Sequence, residues 1–345
     1  MDWGSSVIRR AARPLAVDLG TANTVVFRRG DGIVVFEPSV VAIDELTGRV
    51  AAVGSDARRM IGRTPAHIRA TRPLRHGVIT DFETTEAMLR HFIHQGAERS
   101  LRKPDVIVCV PGGVTQVERS AVEEATLAAG AAHAFLIEEP LAAAIGAGLP
   151  VAEPVGSLVV DIGGGTSEMA VTALGGLVVS RSVRVGGYDL DDAIVRLLQQ
   201  DERLLIGQEQ AEALKLEIGS ALPGCAHADE AQVAGRDLTT GLLRRASVGA
   251  QAVQAALMRP LAEIIRNVRD LLEQTPAELA ADLGRNGLTL VGGGALLPGL
   301  DQLLEQQTRL SVTVDSDPLT TVARGAGKAL DETSRLRSRR RRRRR

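Results

Sequence analysis

Leu15-Ala16-Val17-Asp18-Leu19-Gly20-Thr21-Ala22-Asn23-Thr24-Val25-Val26 has a second version in the same chain, Leu158-Val159-Val160-Asp161-Ile162-Gly163-Gly164-Gly165-Thr166-Ser167-Glu168-Met169, its aspartate 143 positions after the first. Each copy is an apolar run, an aspartate, a glycine turn carrying hydroxyls and a second apolar run, which reads as a β-hairpin. Glycine lets backbone approach a ligand closely, and the exposed N–H groups of such a turn suit phosphate oxygens. An aspartate at the end of each first strand suits a hydrated divalent cation beside those phosphates. Two such hairpins imply two related halves closing on one nucleotide.

The chain of 345 residues is long enough for two cores, and 44% hydrophobic with 24% charged residues is the balance of a globular protein. Aromatics are only 2%, so the cores must be aliphatic and alanine-rich. No run of 18 apolar residues exists to span a membrane, and residues 1–10 lack the apolar stretch of a secretory signal. Cys109 and Cys225 form no motif, and a reducing cytoplasm is expected. The net charge of −1 averages two unlike regions. Residues 335–345 carry nine of the 41 basic residues, and without them 32 face 42 acids, a body of −10. By charge that body is no specific nucleic-acid binder.

Strand-like runs fall at 15–19, 24–27, 32–36, 39–43, 106–110, 158–162, 168–173, 177–180, 288–291 and 311–314. Helix-like stretches fall around 83–99, 115–129, 140–147, 189–199, 208–218, 251–274 and 299–307. Hairpins followed by alternating strands and helices predict an α/β fold with mixed sheets. Thr275-Pro276-Ala277-Glu278 reads as a helix start, with proline in the first turn. Residues 220–250 read as a small peripheral subdomain.

Three further segments join the hairpins. Ile137-Glu138-Glu139-Pro140-Leu141-Ala142-Ala143-Ala144-Ile145-Gly146 sets a carboxylate before a small-residue helix. Leu290-Val291-Gly292-Gly293-Gly294-Ala295 empties a strand into a glycine turn, a flat surface for an adenine. Pro318-Leu319-Thr320-Thr321-Val322-Ala323-Arg324-Gly325-Ala326-Gly327 is a second small-residue helix able to cross the first. In this order the five resemble the nucleotide-site segments of the actin, Hsp70 and sugar-kinase superfamily. Glu37-Pro38-Ser39-Val40-Val41, Met60-Ile61-Gly62-Arg63-Thr64-Pro65, Arg72-Pro73-Leu74-Arg75-His76-Gly77 and Lys215-Leu216-Glu217-Ile218-Gly219 narrow the resemblance to the bacterial actins of the MreB and Mbl family, over roughly residues 14–331.

The resemblance implies an actin-like ATPase fold, with two RNase H-like domains, each carrying a small subdomain, around a nucleotide cleft. It places domain I at 14–145 (small subdomain about 32–66), domain II at 146–310 (small subdomain about 181–245), a return to domain I at 311–331, an N-terminal arm at 1–13 and an Arg-rich tail at 332–345. It implies ATP and Mg²⁺ as cofactors. Asp18, Asp161 and Glu139 would hold the waters of Mg²⁺. Thr21, Ala22 and Asn23 would cradle phosphates from one side, and Gly164, Gly165 and Thr166 from the other. The helix segment Glu212-Ala213-Leu214-Lys215 would meet the adenosine, and Gly292, Gly293, Gly294 and Ala295 would pack under it. Glu118 and Thr166 would serve hydrolysis. Phosphoryl transfer needs mainly positioning and charge neutralisation, so this sparse set suffices.

The expected function is a weak, Mg-dependent, filament-coupled ATPase, cytoplasmic and associated with the inner membrane face, that organises peptidoglycan synthesis and cell shape. Its expected partners are copies of itself, the membrane surface and cell-wall elongation proteins. A small-molecule kinase or a chaperone-type ATPase of the same superfamily is the alternative. Gln116 departs from the acidic residue many relatives carry before Glu118. The loop Ser100-Leu101-Arg102-Lys103-Pro104 has too little apolar surface for lipid insertion. Trp3, Val7, Ile8, Ala11 and Ala12 share a helical face suited to anionic lipid, and a plain terminal arm reads equally well. The arginine tail reads as a solvated tail or as a polyanion or lipid binder.

Overall fold

Both glycine hairpins form, and each organises a five-stranded sheet. The computed structural model describes residues 12–98 and 102–330, so most of the N-terminal arm, residues 99–101 and the arginine tail lie outside the described residues. Leu15–Leu19 pairs antiparallel with Asn23–Arg28, which pairs antiparallel with Gly32–Pro38. On its other side Leu15–Leu19 runs parallel to Asp105–Val110, and His133–Glu138 closes the sheet. The second sheet repeats this plan. Ser157–Ile162 pairs with Ser167–Ala173 and that strand with Gly176–Val183, while Leu288–Val291 and Val312–Val314 add in parallel.

The repeat seen in two short stretches of sequence is therefore a repeat of two whole sheets. In both, the hairpin strand sits at the centre, buried on both faces, which explains the apolar run that precedes its aspartate. The registers match as well. Leu19 faces Thr24 and Ile162 faces Ser167, leaving four-residue turns at 20–23 and 163–166.

Two small sheets flank the large ones. Val41–Asp44 is the centre of three strands with Arg49–Val53 and Ile68–Thr71. Leu204–Leu205, Glu230–Asp237 and Leu243–Gly249 form the other. Three boundaries shift from expectation. Gly32–Pro38 belongs to the first large sheet, so the first insertion begins after it and extends to Thr71. Val312–Val314 hydrogen-bonds in the second sheet, so the return to the first half is made by the helix at 321–330. Pro276 stands just before the helix Ala277–Asn286 rather than in its first turn.

Aliphatic clusters fill the space between sheets and helices. The long helix Ala250–Gln274 buries Val253, Leu257, Leu261, Ile264, Val268 and Leu271 against the second sheet. A third cluster joins the halves: Ala16, Ile107 and Cys109 of the first sheet, Ala142, Ala143 and Ala144, Val159 and Val291 of the second, and Val322 and Ala326. Small side chains there let the helices Glu139–Gly146 and 321–330 cross at backbone contact. A Cβ on Gly325 would strike the Ala142 carbonyl, and one on Gly146 the Thr321 carbonyl.

Candidate functional site

A cleft of about 590 Å³ opens where the two hairpin turns meet. They are in van der Waals contact. A Cβ on Gly164 would lie 2.5 Å from the Ala22 methyl, and one on Gly165 2.9 Å from the Thr21 side chain.

The carbonyls of both turns are tied to protein. The Ser39 hydroxyl donates to Gly20 O at 2.6 Å, and Ser39 N donates to Ala22 O at 2.9 Å. Gly187 N donates to Gly163 O at 2.9 Å and Tyr188 N to Gly164 O at 2.8 Å. His76 Nδ1 donates to Gly165 O at 2.8 Å, and Gly77 N to Thr21 Oγ1 at 3.0 Å. His76 reaches there because it and Gly77 are both left-handed, at φ 46° and 72°. Among the described residues nothing accepts from the amides of Gly20, Thr21, Ala22, Gly164, Gly165 or Thr166. Two opposed sets of free N–H groups on anchored turns form an anion cradle.

Asp18, Asp161 and Glu139 converge at the floor. Burial pushes Asp161 up to about 7, and burial plus the Asp161 charge pushes Asp18 up to about 7. Glu139 is driven well above the carboxylate range by burial and by Glu168, Asp18 and Asp161. No cation is among the groups setting these proton affinities.

Gly292, Gly293 and Gly294 line another part of the wall, as do the exposed Leu216, Leu296 and Leu319. Gly292 is left-handed at φ 80°, and a Cβ there would collide with Asp161 Oδ1. The helix Gln208–Ile218 presents Glu212 and Lys215 to the cleft, one turn apart. Ala213 and Leu214, expected with them, do not line it, because helical periodicity turns Ala213 to solvent and Leu214 into the core. Ala295 is likewise buried under the glycine turn, outside the lining.

Glu118 lies in a second cavity of about 290 Å³, also lined by Gly112, Gly113, His76, Ser182 and Arg184. Thr166 lines both cavities. The Glu118 carboxylate accepts from Thr115 N at 2.7 Å and Thr115 Oγ1 at 2.8 Å, completing a capping box on the helix Gln116–Ala128. That backbone bond holds its pKa low.

Other contacts in and around the cleft are not visible in the motifs. Lys215 Nζ pairs with the buried Asp191 at 2.7 Å and donates to Gly187 O at 3.1 Å. Glu212 is held by Arg58 at 2.5 Å across the cleft. Arg72 stacks over Tyr188 at 4.7 Å. Glu168, directly opposite Asp161, is buried and pushed up to about 8, chiefly by burial. The hairpin register alone points to Glu168; the others are brought in by tertiary packing.

The model of the MreB/Mbl protein family matches residues 12–338. The chain belongs to the MreB/Mbl family. It is 53% identical over 323 residues to cell shape-determining protein MreB of Escherichia coli K12, covering 92% of this chain and 93% of that protein. To Mbl of Bacillus subtilis it is 45% identical over 326 residues, covering 94% and 98%. The crystal structure of MreB5 of Spiroplasma citri bound to AMPPNP superposes with a TM-score of 0.89 at 35% identity, over 96% of this chain and 99% of that one. The fold is that of the actin-like MreB proteins, as the resemblance implied.

Proposed function

We propose that this chain binds ATP with Mg²⁺ in the cleft, hydrolyses it slowly, and assembles with copies of itself into filaments that set cell shape at the inner membrane face by organising peptidoglycan synthesis. One observation carries the nucleotide reading: two anchored turns whose free amides face each other above three carboxylates. The cell-shape names of the relatives and the AMPPNP held by the Spiroplasma protein support it.

Thr21, Ala22 and Asn23 on one side and Gly164, Gly165 and Thr166 on the other donate to the phosphates. Glu212 and Lys215 face the adenosine, and Gly292, Gly293 and Gly294 form the flat bed beneath it. Asp18, Asp161 and Glu139 fit a divalent cation, because burial and mutual repulsion hold their protons and, among the described residues, no lysine or arginine is a cause of their shifts. Among the described residues no three His, Cys, Asp or Glu side chains form a direct metal cage, so these carboxylates suit the waters around an ion. When bound, Mg²⁺ neutralises charge on the phosphates. Glu118, kept ionised by Thr115, is an acceptor for a water beyond Thr166 rather than a strong base, which suits slow hydrolysis.

No helix of the described residues is long and apolar enough to cross a membrane. Lipid docking is assigned to residues 2–12; their deletion is expected to lower co-sedimentation with anionic vesicles. Light scattering with ATP against ADP, with phosphate release followed in parallel, tests the central reading. ATP-dependent polymer with slow release is expected. Absence of polymer with rapid phosphorylation of a metabolite would replace it with a kinase.

A further inference from the structure

The arginine segment 335–345 is the feature of this chain that the nucleotide site leaves unused. It carries nine arginines and no acid, while the remainder of the chain stands at −10. An anionic bilayer repels such a remainder, so an apolar arm alone would dock against the charge of its own body. The folded part shows where the arm and the arginine segment start.

The helix at 321–330 begins at the cleft, which Val322 lines, and runs away from it. Gly327 lies against the first sheet, where a Cβ would strike the Phe27 ring. Phe27 pairs with Ala16, one residue inside the start of the strand Leu15–Leu19, whose other end carries Asp18 into the cleft. Beside that start, Pro14 O accepts from Arg29 N at 3.2 Å and Arg13 pairs with Asp31. The chain therefore enters the fold at Arg13 and leaves it after Leu330 at the same end of one sheet, opposite the cleft. Carboxylates bordering this end are already engaged. Asp31 and Glu98 hold Arg28 at 2.6 and 2.9 Å, and Asp105 holds His133 at 2.8 Å.

By sequence the arm sets Trp3, Val7, Ile8, Ala11 and Ala12 on one helical face, with Arg9, Arg10 and Arg13 largely off it. A segment with an apolar face and a purely basic one thus start side by side. Nucleic acid or an acidic protein surface satisfies the arginines and leaves the apolar face without a partner. An anionic bilayer satisfies both. Fifteen residues follow Leu330, a reach of at most about 50 Å, which keeps the arginines at high effective concentration over the headgroups that the arm has met.

We propose that residues 335–345 are a second lipid anchor, acting with the arm at 2–12 on one anionic membrane surface through its headgroup phosphates. This rests on the membrane reading above. A weak single anchor becomes a stable one when a polybasic segment is added beside it. The segment supplies charge, so lysine serves there as arginine does.

The experiment co-sediments the full chain with vesicles of phosphatidylglycerol and phosphatidylcholine, and with phosphatidylcholine alone, at low and at physiological salt. Wild type is compared with deletions of 2–12 and of 335–345, and with two full-length variants whose nine arginines at 335–345 become lysine or glutamine. Deletion of 335–345 and the glutamine variant are expected to weaken binding to the anionic vesicles by about 10-fold or more, and the lysine variant to bind as wild type does. Affinity should fall more steeply with salt when the basic segment is present. A fluorescent ATP analogue should bind all the variants alike, since both segments start opposite the cleft. A glutamine variant that binds anionic vesicles as wild type does overturns the proposal; if deletion of 2–12 still abolishes binding, the membrane reading stands without a second anchor. Displacement from the vesicles by an RNA homopolymer at equal phosphate concentration assigns the segment to nucleic acid and overturns the proposal as well. A wild-type protein that ignores anionic vesicles refutes the membrane reading itself, and this proposal with it.

Discussion

Lys215 and Asp191 are 14% and 2% exposed, so their 2.7 Å ion pair sits largely out of water. Even with the ammonium beside it, burial leaves Asp191 raised to about 6. Removing one partner of such a pair costs more than the pair itself contributes, since the other charge is stranded. K215M is therefore expected to destabilise the nucleotide-free protein by about 3 kcal/mol. Urea unfolding should show most of that recovered in K215M/D191L; equal losses in the single and double variants would sink the account. Asp18 and Asp161 give a second prediction. Their folded pKa values of about 7 lie above the ordinary 3.8, so between those values the native state holds more protons than the unfolded state. Stability then falls as pH rises from about 4 to about 7. The nucleotide-free melting temperature should decline across that range, and Mg²⁺ with nucleotide should flatten the decline. A flat profile without ligand would contradict the buried, uncompensated carboxyls.

The helix crossing shows how an element's position depends on absent side chains. Lys328 Nζ caps the end of Glu139–Gly146 by donating to Ile145 O at 2.9 Å and Gly146 O at 3.2 Å, holding the crossing from one side. Gly325 allows it from the other. G325A forces the helices apart and, because Glu139 opens the displaced helix, moves a carboxylate of the cleft. The expected cost is about 1–3 kcal/mol in stability together with weaker Mg-dependent nucleotide binding, read by thermal melts and titration. A variant that melts lower yet binds normally would separate the two. The glycines of this crossing and both hairpins were legible in sequence, because a backbone approach leaves glycine as its trace. Strands such as Glu230–Asp237 were not. Their inward positions, Ala231, Val233 and Gly235, are small, so alternation carries little hydrophobic contrast. Glu168 was legible in principle, as the residue opposite Asp161. Asp191 was not, since one acid among several on the helix Gly187–Asp201 acquires meaning only when Lys215 is packed against it.

The whole molecule is two copies of one sheet plan, with the order and direction of the five strands preserved, meeting at an alanine-rich seam. Such a seam permits hinge motion, and what spans the cleft at its outer edge decides how readily it opens. Arg58, Arg63 and Arg72 reach from the first half to Glu212 at 2.5 Å, Glu209 at 3.4 Å and Gln208 at 3.3 Å on a single helix of the second. Each contact is partly exposed, and exposed pairs contribute roughly 0–1 kcal/mol apiece. Two together therefore hold the cleft shut by an amount worth about 5-fold in opening rate at low salt. R58A/R63A is expected to speed release of a fluorescent ADP analogue by that factor in stopped flow. The gap between variant and wild type should narrow as added salt screens the wild-type pairs. Glu212 also lines the cleft, so the proposed adenosine contact and the latch would compete for one carboxylate, and R58A alone should alter release more than R63A alone. Equal effects from the two single variants, or no dependence on salt, would mean that the cleft is held by the seam and not by its edge.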